Sequence, residues 1–327
     1  MNSNSESSAK AKLTLGYDNN VSDNAESILK SRFYQLYVNS NISFPKEKST
    51  FLMKLQNGIK YLDDSAINYE SILVNDLSTC FSYRILAWLM PEVSSEIKGR
   101  TSIHNISNIS PSEEPYLRGS ADLALKTVIY GDIAGKIYCS IGAVNFEDFD
   151  IYDSRNSKIG LKADIRLLPD TTMGVSYSYE SINFSKWNEE QLIRKDKLGN
   201  LTVSIQSYRN LLIDFAYSYQ SDKSNMKRFS NKSNRFAILL AKSLPDNFVI
   251  QTYAVLRLEK YETPSEDTDI SQFDLFDDER SVIAFRLSKD INDLCTLEVE
   301  YDLRSKRSVE NGSYTKGVIS ASVLFNF

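Results

Sequence analysis

Short and long polar connections alternate along this chain without a break, and the segments between them carry a two-residue hydrophobic period. In Thr172–Glu180, Met173, Val175, Tyr177 and Tyr179 share one face, and Thr172, Gly174, Ser176, Ser178 and Glu180 share the other. Leu211–Gln220 repeats this with Leu211, Ile213, Phe215, Tyr217 and Tyr219, and Lys158–Leu167 with Ile159, Leu161, Ala163, Ile165 and Leu167. As helices these segments would be ringed with charge, so the period specifies strands. Short turns are expected near Pro45–Ser49, Met90–Val93, Gly131–Ile133, Pro169–Thr171, Arg209–Asn210, Pro245–Asn247 and Asp290–Asp293. Longer segments are expected near Ser22–Lys30, Asp63–Asn68, Ser107–Pro115, Glu147–Arg155, Ser185–Lys197, Ser221–Lys232, Glu262–Glu279 and Ser305–Ser313. A closed barrel crossing a bilayer sorts its connections this way, tight turns on one rim and long loops on the other, whereas a soluble sandwich has no reason to. The rhythm gives an all-β, antiparallel up-and-down transmembrane barrel of about 16 strands, roughly 14–18. An even strand number returns both termini to the short-turn rim, which in such a barrel is periplasmic.

Composition agrees. The mean hydropathy of -0.34 is that of a soluble chain, and no apolar run reaches the roughly 18–20 residues of a membrane helix. A barrel with a polar lumen is compatible with both. The formal net charge of -5 excludes a strongly basic nucleic-acid binder. A single histidine removes most metal sites and most histidine-based catalysis. The cysteines, Cys80, Cys139 and Cys295, are distant and odd in number, so they imply no disulfide framework. Residues 1–10 read as a polar tail without the apolar core of a signal peptide, and 11–327 as the barrel. The expected location is the outer membrane of a Gram-negative bacterium, in a mature form without its signal.

The apolar face of each strand should meet lipid, with Tyr17, Phe44, Tyr61, Tyr179, Tyr217, Tyr219 and Tyr301 forming interfacial girdles. The polar face should line a lumen too wide for side chains to fill. Lys54, Arg84, Lys98, Arg100, Lys126, Lys162 and Arg166 are expected to form a basic wall, and Glu298, Glu300 and Asp302 an acidic wall opposite. Facing arcs of charge would orient polar solutes, unless the charges pair with one another. Phe33, Tyr37, Tyr138, Tyr208 and Tyr253 fall on the polar face, where an aromatic path for sugars would run. The acidic Glu262–Glu279 could fold inward, but it lacks the spacing of a calcium loop.

No catalytic or metal site is expected, and no cofactor. His104 and Ser107 are three residues apart, so in a strand they point to opposite faces unless a bulge intervenes. Phosphate-binding, dinucleotide-binding and zinc-hydrolase motifs are absent.

Val318–Phe327, with Ile319, Ala321, Val323, Phe325 and Phe327 on one face and a terminal aromatic, resembles the closing strand of bacterial outer-membrane barrels. The resemblance implies that Phe325 and Phe327 serve as a signal for the barrel assembly machinery. Gly16-Tyr17-Asp18-Asn19-Asn20-Val21 in the opening strand, Asp277-Asp278-Glu279-Arg280, and the stretch from Tyr314 to Phe327 resemble the β-barrel porin group associated with exopolysaccharide gene clusters. That likeness implies passage of polysaccharide or oligosaccharide, sometimes with a periplasmic export partner. Outer-membrane lipid and lipopolysaccharide are the surrounding partners to expect. The alternatives are a non-conducting surface or assembly platform and, third, a lipid hydrolase.

Overall fold

The structure is a computed structural model, which describes residues 5–19, 30–63, 72–102, 115–147, 150–189, 192–261, 281–307 and 313–327. Sixteen strands form one closed antiparallel barrel in which each strand pairs with its neighbours in sequence and the last pairs with the first. They are β1 (Glu6–Asp18), β2 (Ser31–Pro45), β3 (Ser49–Asp63), β4 (Ile72–Tyr83), β5 (Leu89–Ser102), β6 (Tyr116–Tyr130), β7 (Ile133–Phe146) and β8 (Ser154–Leu168). There follow β9 (Thr171–Glu189), β10 (Leu192–Tyr208), β11 (Leu212–Ser224), β12 (Asn231–Leu244), β13 (Phe248–Tyr261), β14 (Ser281–Asn292), β15 (Cys295–Arg307) and β16 (Ser313–Asn326).

The closing ladder pairs Lys10 with Asn326 through to Asp18 with Val318. Beyond it, Ala9 and Phe327 exchange two backbone hydrogen bonds, of 3.2 and 2.8 Å. β1 therefore begins inside the segment that its polar composition assigns to a tail. Ser7, Ser8 and Ala9 have no apolar period, yet they pair with Ile42, Asn41 and Ser40.

Six of the seven expected short turns lie on one rim at the expected places. The turn after β12 places Asp246 at φ 60 and Asn247 at φ 62, the left-handed geometry that a two-stranded connection of this hand requires. Met90–Val93 is a correction. The turn is at 84–88, and Pro91 sits within β5, paired with Leu125. The turn Arg84-Ile85-Leu86-Ala87-Trp88 carries none of the usual turn residues, and its Ile85, Leu86 and Trp88 are exposed. Composition points to the proline instead.

Ser185–Lys197 is the second correction. Both strands run through it, so the connection shrinks to 190–191. β9, with 19 residues, spans about 60 Å, and even tilted at ~45° it overtops an apolar band of ~25 Å. Past Phe184 the exposed Ser185 and Lys186 continue no apolar period, and pairing resumes after a register shift at Asn188–Ile193 and Glu189–Leu192.

Candidate transport lumen

The register assigns each side chain to one of two faces. One face carries exposed apolar residues such as Leu13, Leu36, Ile97, Leu161, Phe285 and Val299. The other carries buried polar ones such as Asp18, Ser178, Glu298 and Ser322. The first is the outer surface and the second the lumen. All seven expected girdle aromatics face outward.

Lys54, Lys98, Arg100, Lys126, Lys162 and Arg166 face the lumen on β3, β5, β6 and β8. Arg84 does not join them, because it stands in the turn after β4, where its backbone N–H donates to Lys48 O (2.6 Å). Sequence reasoning left out Arg118, which faces inward beside Lys98. Across β3–β8 these cations, with Lys60, Lys136 and Lys158, outnumber the inward carboxylates Asp76, Glu92, Glu96, Asp122 and Asp164. Glu92 is shared by Lys126 and by Lys136 (3.2 Å), and Lys162 meets Asp164 at 3.0 Å. Among the described residues, no carboxylate lies within ion-pair distance of Lys54 or Lys98.

Glu298, Glu300 and Asp302 also face inward, on β15. That strand is eight steps from β7 in either direction around the ring, so the two arcs do face one another. The acidic arc is not bare, however. Glu298 takes Lys12 from β1 and Arg286 (3.5 Å) from β14. Glu300 takes Arg286 at 2.6 Å, and Asp302 takes Arg304 at 2.9 Å. Asp18, 1% exposed, pairs with Lys316 across the closing seam at 2.8 Å. Here charges pair locally, while the β3–β8 arc keeps a basic surplus.

Three of the inward aromatics lie over glycines. A Cβ on Gly16 would sit 2.2 Å from the Phe33 ring, one on Gly160 2.3 Å from Tyr138, and one on Gly58 3.2 Å from Tyr37. Each ring covers the glycine directly opposite it on the neighbouring strand. The rings flatten onto the wall and supply the contacts that a side chain would otherwise make. They brace the sheet rather than stack into a path.

At the long-loop rim, two 3-10 segments, Asp150–Tyr152 and Lys227–Phe229, turn inward. Tyr152, Met226 and Phe229 pack with the lumen-facing Ile182 and Phe184, flanked by Phe146 and Leu198. Arg194 is gripped by Asp196 through contacts of 2.7–3.2 Å. Its guanidinium lies 3.8 Å from the Phe229 ring centre and 4.4 Å from that of Phe184. Arg194, Phe184 and Phe229 thus bind the in-turned segment to the β9–β10 wall and narrow the mouth on that side. The signal was present in the apolar Met226 and Phe229 inside a polar connection. His104, Ser107 and Glu262–Glu279 lie outside the described residues.

No family model matches the chain, and no curated protein matches it in sequence. Solved structures match it along nearly its whole length. The outer membrane protein opdK from Pseudomonas aeruginosa is 7% identical with a TM-score of 0.52, and the match covers 98% of this chain and 99% of that one. OccK2 (OpdF) of the same organism, solved in complex with glucuronate, is 9% identical with a TM-score of 0.51, covering 99% and 98%. OccAB4 of Acinetobacter baumannii is 10% identical with a TM-score of 0.52, covering 98% of each chain. At these identities the likeness concerns architecture: the chain has the closed antiparallel fold of outer-membrane β-barrels, here with 16 strands.

Proposed function

We propose that this barrel is a non-enzymatic outer-membrane channel for hydrophilic, predominantly anionic solutes, with acidic oligosaccharide or polysaccharide the favoured cargo. The observation that carries the reading is the one-sided charge of the lumen, a basic surplus on β3–β8 facing an arc in which acid and base are matched. A ring of 16 strands leaves an aqueous bore, and cations along one wall lower the cost of moving an anion through it. A neighbour of the same architecture was solved with glucuronate, an acidic sugar, which accords with this. The termini would lie at the periplasmic rim. The closing strand with Phe325 and Phe327 would be read by the assembly machinery, and a periplasmic export partner would meet the short turns.

The test is single-channel recording of refolded protein in a planar bilayer under a salt gradient. Stable conductance with anion preference, reduced by acidic oligosaccharide, supports the reading. A correctly folded barrel that never conducts supports the second reading, a surface platform, which the in-turned cluster of Tyr152, Met226 and Phe229 favours.

A further inference from the structure

At the long-loop end of β8–β13, the outward face carries a band of cations. Arg155 on β8 and Lys195 on β10 flank Asn183 of β9 in register. Lys197 is directly opposite Lys223, and Lys232 is directly opposite Lys260. All six are exposed. Among the described residues none has a carboxylate partner, and the outward positions of these strands level with the band and below it carry no carboxylate. Like charges directly opposed on a sheet repel at ~5 Å, so the arrangement costs stability unless an anion lies across it. On the far side of the same rim the outward Arg32 stands opposite a carboxylate, Asp63, rather than another cation.

Directly beneath the band come the outward Tyr179, Tyr217 and Tyr219. Level with these or below them lie Leu161, Leu201, Phe215, Ile238 and Leu256. Apolar belt, tyrosines, then unpaired cations is the order of a leaflet's acyl chains, interface and charged headgroups. The cations lie on successive or alternate strands ~4.8 Å apart, matching a ligand with more than one phosphate.

We propose that the outer rim of β8–β13 binds the phosphate groups of an acylated, phosphorylated glycolipid of the surrounding leaflet. Acyl chains would lie along the belt and the phosphates across Lys197, Lys223, Lys232 and Lys260. The inference rests on the outer-membrane placement of the barrel and not on conduction, since every one of these side chains faces away from the lumen.

The test compares the wild type with the variant K197Q/K223Q/K232Q/K260Q, both confirmed as folded by heat-modifiable electrophoretic mobility. Binding of bisphosphorylated lipid A, dephosphorylated lipid A and inorganic phosphate is measured in detergent by native mass spectrometry. The wild type should prefer the bisphosphorylated lipid at least ten-fold. The quadruple variant should lose that preference, and R32Q should keep it. Equal preference in wild type and quadruple variant overturns the proposal, as does displacement of the lipid by inorganic phosphate at equal concentration. Conductance of the same preparations separates the two readings. A silent wild type that still prefers the phosphorylated lipid refutes only the channel. A conducting one without the preference refutes only the lipid surface.

Discussion

Replacing Glu298 with Gln tests whether ion pairs in the lumen hold the closing seam. Glu298 is 7% exposed and takes Lys12, on β1, and Arg286, on β14. Lys12 reaches it over β16, so this contact spans the strand that closes the barrel. Breaking a buried pair by removing one partner costs about 3–5 kcal/mol. Here the discount is substantial, because Lys12 is 27% exposed and Arg286, 39% exposed, keeps Glu300 at 2.6 Å. That leaves about 1–3 kcal/mol. With an unfolding entropy of roughly 2 cal/mol/K per residue, a chain of 327 residues loses ~0.7 kcal/mol per degree. The thermal midpoint in detergent should fall by about 2–4 °C. Anion preference should rise at the same time, because the paired arc gains a net positive charge. A cycle of Lys12→Met, Glu298→Gln and the double variant isolates the pair. The double variant should be less destabilised than the sum of the singles by about 1 kcal/mol. Additivity within ~0.3 kcal/mol would mean that the contact does not hold the seam, and the reasoning fails.

Three further outcomes follow from the same wall. Gly160→Ala drives a Cβ into Tyr138 and should cost about 1–3 kcal/mol, whereas Gly119→Ala, whose Cβ meets nothing within 4 Å, should be neutral; thermal unfolding distinguishes them. Phe229→Ala releases the ring that stacks on Arg194, so single-channel conductance should rise while the barrel's thermal midpoint stays within a few degrees of wild type. Lys54→Glu with Lys98→Glu reverses two cations that have no carboxylate within ion-pair distance among the described residues, so the reversal potential in a salt gradient should move toward cations; an unchanged potential refutes the basic wall as the source of selectivity.

Periodicity reveals strands wherever one face meets lipid and the other water. It reveals both long central runs such as Lys158–Leu167 and the closing strand. It fails where that contrast disappears. At the long-loop end of β9, Asn188 and Glu189 still pair with Ile193 and Leu192, past the exposed Ser185 and Lys186, without an apolar period, and at the short rim Ile85–Trp88 is an apolar turn. The start of β1 is hidden in the same way, since Ser7–Ala9 are polar or small on both faces. The lumen was legible as a set of inward charges because parity alone places Lys98 or Glu300. The in-turned cluster was not, because it depends on Tyr152 and Phe229 meeting Phe184 and Arg194 from separate connections.

Whether a wall of charge acts on a solute depends on pairing, and pairing is a property of register. Glu298, Glu300 and Asp302 look like a strip of acid along β15, but their partners lie at Lys12, Arg286 and Arg304. Lys12 is distant in sequence and only two strands away in the ring. Lys54, by contrast, has the uncharged neighbours Asn41 and Ser78, and Lys98 stands between Asp76 and Arg118, so that one carboxylate faces two cations. The same counting applied to the outside singles out β8–β13, where Lys197 faces Lys223 and Lys232 faces Lys260 without compensation. Lumen and rim therefore obey one rule. A cation whose register partners cannot neutralise it is available to an external anion, inside the bore to a passing solute and outside to a lipid phosphate.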